Sequence, residues 1–235
     1  MLLEVNKVTN DLQQMANILN RQYESVFTED SGKIPYKGNS DIPDIPQLNF
    51  STQGIESQLR KLDHKKAPGP DQITARILKE ASTEIPPILR NIFQKSYETS
   101  DLHDDWKTAS ISAIYKKGDK KDPANYRPVS LTSICCKEMK HILCLIISKH
   151  LDNFNILSDN QHGFRAKISC ETQLIQTIED LSLSLNEKQQ IDMAILDFSK
   201  AFDMVSHPKM LHKLDHYGVR KNTLSWIESW ITNRT

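Results

Sequence analysis

The sequence lacks an excess of charge of either sign. Lys and Arg total 30, Asp and Glu total 30, and the formal net charge is zero. Bulk charge therefore makes no case for a nucleic-acid partner; only local clustering can. The chain also lacks a long hydrophobic run. The longest candidate, HILCLIISKH at 141–150, is about half of the roughly 18 residues of a membrane span, so no membrane partner is expected. The start, MLLEVNKVTND, has neither a cationic stretch nor a sustained apolar one, so no secretory signal is read. Cysteines are few: Cys135, Cys136, Cys144 and Cys170, with no C-x-x-C spacing and no His at metal-ligand spacing. The first three fall in an apolar helical pattern and are expected as buried free thiols. That fits a reducing interior such as cytosol or nucleus. No internal repeat occurs.

What is present is an ordinary globular balance, 38% hydrophobic and 26% charged over 235 residues. This suits one large domain or two small ones. Residues 8–27 carry apolar positions near helical spacing. Residues 28–50 hold Gly32, Pro35, Gly38, Pro43 and Pro46 and read as an exposed linker, so the compact part is expected to start near Ser51. Helices are predicted at 53–63, from Asp71 as N-cap, at 86–99, 132–151, 171–186, 208–216 and 222–231. Pro208 sits near the start of one, and Gly218 is expected as its cap. Residues 108–115 and YRPVSL (126–131) read as the strands of a hairpin with KKGDKKDPAN at its tip. IDMAILDF, 191–198, reads as a strand buried on both faces. Helices alternate with few strands, so the fold class is α/β or α+β: helix-rich with a small sheet.

AILDFSKAFDMVSH (194–207) ends its apolar run on Asp197. A carboxylate at the C-terminal end of a strand stands where ligand crevices form. It is a hard oxygen donor suited to Mg²⁺ shared with substrate phosphates, and the Phe198 carbonyl adds another. The plainer alternative is an acid that ends a strand or caps the next helix. The turn is expected to carry Asp203 away from Asp197, as a cap or salt-bridge acid. Lys200 reads as solvated and Phe202 as core. The hairpin tip sets Lys116, Lys117, Lys120, Lys121 and Arg127 against Asp119 and Asp122. It suits a polyanion or simply water, and RKLDHKK (60–66) leaves the same choice. In QHGFR (161–165), Gly163 allows close backbone approach to a ligand, or the loop is ordinary and Phe164 is packed.

In combination, KKAPGPDQI, KKGDKKDPANYRPVSLTS, LSDNQHGFR, LDFSKAFDMVSH, LHKLDHYGV and WITNRT follow one another in the order found in one family. From about residue 54 onward the chain resembles the reverse transcriptase domain of non-LTR (LINE-type) retrotransposons, most closely the jockey-like and CR1-like group. The leader LNRQYESVFTED is similar to the stretch joining endonuclease and polymerase in such elements. The resemblance implies an RNA-directed DNA polymerase: 1–50 a connector, 51–190 a fingers region, 191–235 a partial palm. It implies an RNA template, a DNA primer, a dNTP and Mg²⁺ as partners and cofactor. Asp197 then corresponds to the first catalytic metal ligand, and Phe202 to the bulky residue against the incoming sugar. Arg127 corresponds to the arginine on the triphosphate, and Lys116 and Lys117 to template or phosphate contacts. Gln161, Gly163 and Arg165 match a segment near the template–primer.

The sequence departs from that pattern in one respect. A Tyr-x-Asp-Asp motif should follow Asp197, yet Asp-Asp occurs only at Asp104–Asp105. One carboxylate does not hold two Mg²⁺ ions. The expectation is a C-terminally truncated fragment, inactive by itself, with an open edge on strand 191–198 and marginal stability. The alternative is a catalytically dead RNA or template–primer binding remnant. A metal-dependent nuclease built on Asp197 would need further acids, and Asp192, Asp203 and Asp215 form no ligand pattern.

Overall fold

The computed structural model describes residues 2–4, 7–27, 32–36, 38–198 and 200–234. The part of the expected linker at 28–31 and at Lys37 lies outside them. The fold is mixed, with helices dominating two small antiparallel hairpins. Strands β1 (Leu2–Glu4) and β2 (Lys7–Thr9) pair first. Helix α1 (Leu12–Glu24) follows, capped by the Asp11 carboxylate accepting from the Gln14 amide at 2.8 Å. Next come α2 (Thr52–Arg60), α3 (Ala75–Glu80), α4 (Pro86–Thr99) and α5 (Asp104–Lys107). Strand β3 (Ser110–Tyr115) pairs with β4 (Tyr126–Leu131) around a 3₁₀ turn at Pro123–Asn125. Helices α6 (Ile134–Asn153), α7 (Cys170–Asn186), α8 (His207–His216) and α9 (Lys221–Ile231) complete the chain. Among the described residues, no helix is long and apolar enough to cross a membrane.

The core is built around α4. Its Leu89, Phe93 and Tyr97 are buried in one cluster with Ile55 and Leu59 of α2, Met139 and Leu143 of α6, and Trp226 of α9. Burying such side chains contributes about 1.5–3 kcal/mol each. Polar atoms inside this cluster are paired: the Tyr97 and Thr223 hydroxyls lie 2.9 Å apart, and the Trp226 indole donates to the Ser96 hydroxyl at 3.1 Å.

Four expectations need correction. The linker is exposed only at first: Ile45, Leu48 and Phe50 are buried, and the Phe50 amide donates to the Gln94 side chain at 3.1 Å. These apolar residues in DIPDIPQLNF outweigh its prolines. The N-cap near Asp71 is Thr74, because Pro70 and the turn through Gln72 delay the helix until Ala75. Cys144 is exposed, unlike Cys135 and Cys136. Most important, residues 191–198 form no strand. Ile195, Leu196 and Phe198 are 85%, 86% and 81% exposed. A buried strand needs neighbours on both edges, and among the described residues none pairs with this segment. Gly218 follows the cap residue Tyr217 with φ +85°, the left-handed conformation that suits glycine.

Candidate functional site

A cleft of about 940 Å³ opens where three remote segments meet. The end of α1 and the residues after it contribute Gln22, Tyr23, Val26 and Phe27. The hairpin contributes Lys116 and residues 124–128, including Arg127. The segment after the exposed apolar run contributes Asp197, Phe198, Lys200, Phe202 and Asp203. Asp197, Arg127, Phe202, Phe198 and Lys116, singled out in sequence, thus share one wall system. Lys117 does not line the cleft; it stands on the exposed tip.

Asp203 is also on the wall, against the expectation that it points away. The reason is a turn centred on Lys200, which sits at φ 52°. Its carbonyl accepts from the Asp203 amide at 3.0 Å and the Met204 amide at 3.1 Å. With that curl, Asp203 lines the same cleft as Asp197. Phe202 is not core either. It is 79% exposed, and its ring meets Phe164 edge-on at 6.0 Å.

The hairpin holds its shape through its own side chains. Tyr115 and Tyr126 are direct cross-strand partners with rings 5.7 Å apart. The Tyr126 hydroxyl donates to the Lys120 carbonyl at 2.8 Å, and Tyr115 donates to the Gly118 carbonyl at 2.5 Å. The acids of the tip serve the backbone: Asp119 accepts from the Lys121 amide and Asp122 from the Ala124 amide, each at 2.9 Å. Among the described residues, Lys116, Lys117 and Arg127 make no ion pair and face solvent. A rigid loop with unneutralised cations is a ready contact for a polyanion.

The QHGFR loop divides its roles. Arg165 donates to the Ser158 carbonyl at 2.9 Å and approaches Asp152 at 3.6 Å, so it ties the loop to the end of α6. Gln161 donates to the Gly163 carbonyl at 3.3 Å. A Cβ on Gly163 would meet nothing within 4 Å, so internal packing does not demand glycine there. Phe164 is 92% exposed, with φ 60°, an unusual conformation for a bulky residue.

Sequence reasoning read Gln22 and Tyr23 only as part of a helix and of the leader LNRQYESVFTED, and gave α1 no place in a site. The Tyr23 hydroxyl is buried and has no hydrogen-bond partner among the described residues. Burial, and secondarily the nearby Tyr126, raise its pKa above the ordinary phenol value. As hard oxygen donors for Mg²⁺ the cleft offers Asp197 and Asp203. Among the described residues no cluster of three or more His, Cys, Asp or Glu converges to hold a metal. This donor set falls short of a two-metal centre.

The comparisons with known proteins bear on this geometry. Residues 114–235 match the family described as reverse transcriptase (RNA-dependent DNA polymerase). The chain is 26% identical over 187 residues to the probable RNA-directed DNA polymerase from transposon BS of Drosophila melanogaster, covering 77% of this chain and 21% of that protein. It is 28% identical over 176 residues to the RNA-directed DNA polymerase from mobile element jockey of the same organism, covering 72% of this chain and 19% of that one. It is 25% identical over 230 residues to the retrovirus-related Pol polyprotein from type-2 retrotransposable element R2DM, also from Drosophila melanogaster, covering 91% of this chain and 21% of that protein. The chain therefore spans about a fifth of the length of these relatives. With the family match covering more than half of its length and including the cleft's Arg127, Asp197 and Phe202, the chain belongs to the reverse transcriptase family, among the non-LTR retrotransposon polymerases.

Proposed function

We propose that the chain supplies the nucleotide and template grip of an RNA-directed DNA polymerase that copies an RNA template from a DNA primer with dNTPs. One observation carries the reading: Arg127 and Lys116 of the hairpin share a cleft with Asp197 and Phe202, which lie about seventy residues further along the chain. Cations for phosphate, a carboxylate for a cation and an aromatic ring for a sugar are what a nucleoside triphosphate requires of a site. In this reading Arg127 holds the triphosphate, Phe202 and the neighbouring Phe198 bound the sugar, and Lys116 and Lys117 meet phosphates of nucleotide or template. Gln161 and Gly163 face the template–primer, and Arg165 acts by fixing their loop.

Residues 1–50 act as a connector, 51–190 as fingers and 191–235 as part of a palm. Asp197 contributes one carboxylate to Mg²⁺. Among the described residues the donor set around it falls short of a metal pair, and in this reading the chain by itself binds rather than polymerises. The catalytically silent binding module is thus a property of the same cleft rather than a rival to it.

The test is binding of an RNA template annealed to a DNA primer, followed against salt concentration. Each phosphate contact adds about 0.7–0.9 to the slope of log affinity against log salt. Replacing Lys116, Lys117 and Arg127 together by Ala is expected to flatten that slope by about 2. An unchanged slope would remove the hairpin from the interface and refute the reading.

A further inference from the structure

The N-terminal helix has no part in the family match, which begins at residue 114, yet it forms one wall of the cleft. Its last turn rests on the 3₁₀ turn Pro123–Asn125, and Tyr23 faces the same space as Lys116, Tyr126 and Arg127. The Tyr23 hydroxyl is shielded from solvent without a hydrogen-bond partner among the described residues. Buried hydroxyls are normally paired, and an unpaired one is a place where a water, an ion or a bound ligand can supply the partner. We propose that Tyr23 is a further ligand-contacting residue of the cleft, its phenolic hydroxyl donating a hydrogen bond to a phosphate oxygen of a bound nucleoside triphosphate. The proposal rests on the nucleotide-binding reading above.

The chemistry of the wall selects the phosphates over sugar or base. Arg127 and Lys116 beside Tyr23 draw the anionic end of the ligand to this side, while Phe202 and Phe198 offer the apolar surface suited to a sugar. Burial keeps the phenol protonated well beyond neutral pH, so it faces the anion as a donor. The position is reached because α1 docks on the 3₁₀ turn of the hairpin, and it lies outside the residues that the family model matches.

The experiment is calorimetric titration of the full chain with dTTP and, separately, with inorganic triphosphate, for wild type, Tyr23→Phe and Arg127→Ala. Tyr23→Phe keeps the ring and removes only the hydroxyl. It is expected to weaken both ligands by about 10- to 100-fold, the range for one hydrogen bond to a charged group. Without ligand it should melt no lower than wild type, because an unpaired hydroxyl is gone. If Arg127→Ala weakens binding and Tyr23→Phe does not, the proposal fails and the nucleotide-binding reading stands. A loss confined to dTTP overturns the phosphate contact. Should wild type bind neither ligand, the underlying reading fails and takes this proposal with it.

Discussion

Gly218→Ala tests whether the N-terminal segment is docked onto the body of the protein or merely tethered to it. Gly218 lies between α8 and α9 with φ +85°, and its carbonyl accepts from the Ile45 amide at 2.8 Å. A Cβ there would stand 2.3 Å from the Pro43 carbonyl oxygen and 2.9 Å from the His150 ring. That ring donates through Nε2 to the Tyr217 carbonyl at 2.7 Å. Left-handed backbone costs a residue with a Cβ about 1–2 kcal/mol. Relief of the clash loosens one or both hydrogen bonds, at about 0.5–1.5 kcal/mol each. The reduced entropy of the unfolded chain returns about 0.4–1 kcal/mol. The expected net loss is about 2–3 kcal/mol, read from urea midpoints at unchanged slope. Gly163→Ala is the control: its Cβ meets nothing, so its midpoint should stay within about 0.5 kcal/mol of wild type. A Gly218→Ala loss below about 1 kcal/mol would mean that residues 40–45 do not pack on the α8–α9 turn, and that the compact part begins near Ser51 after all.

Glu138 and the cysteines give two further tests. Burial raises the pKa of the Glu138 carboxyl, so the folded state keeps that proton to higher pH than the unfolded chain does. Its contribution is therefore most favourable below the ordinary carboxylate range and declines as pH rises through the folded value. Glu138→Gln should be more stable than wild type at pH 8, with the gap closing at pH 4; urea midpoints at both pH values check this. Burial also pushes the Cys135 thiol up to about 12 and the Cys136 thiol up to about 11, whereas Cys144 and Cys170 are exposed. Iodoacetamide at pH 8 should label Cys144 and Cys170 in the folded chain, and all four only in denaturant. Rapid labelling of Cys135 would contradict the burial of the start of α6.

The helices were legible because their signal is local. Apolar spacing over PPILRNIFQKSYET and a proline at the start predict 86–99, and α4 has those bounds. The basic hairpin was legible for the same reason, with turn residues between a small, β-branched run and the return strand YRPVSL. The run IDMAILDF misled because composition reports what a strand would bury, not whether partners are at hand. The linker misled in the opposite sense. Its docking depends on Asp44 pairing with Arg220 and Lys221 at 2.8 and 2.7 Å, a contact between positions far apart in sequence. Within the cleft, Asp197 stood out at the end of its apolar run and Arg127 in the basic hairpin, while family resemblance alone singled out Phe202. Gln22 and Tyr23 were legible only as parts of a helix and a connector-like leader, and Asp203 was misplaced because the reversal at Lys200 cannot be read from five intervening letters.

The two halves of the molecule differ in how firmly they are built, and this decides how variants should be read. The packed half surrounds α4, where Phe93 and Tyr97 are almost wholly buried. The cleft lies elsewhere, on a hairpin whose strand β3 is exposed at every position and on a segment with Phe198 and Phe202 in solvent. Removing the exposed Arg127, Lys116 or Lys117 side chains therefore deletes charge without opening a cavity, and surface changes of that kind seldom shift stability by more than about 0.5 kcal/mol. A loss of ligand binding in such variants reports a lost contact rather than a damaged fold. The same separation means that the core can hold α4, α6 and α9 together while the exposed apolar residues at 193–198 and on α7 remain uncovered. Sites on thinly packed elements open locally at low cost, so a nucleotide that bridges α1, the hairpin and the turn at 200–204 would stabilise these elements more than the core, through their mutual attachment to one ligand.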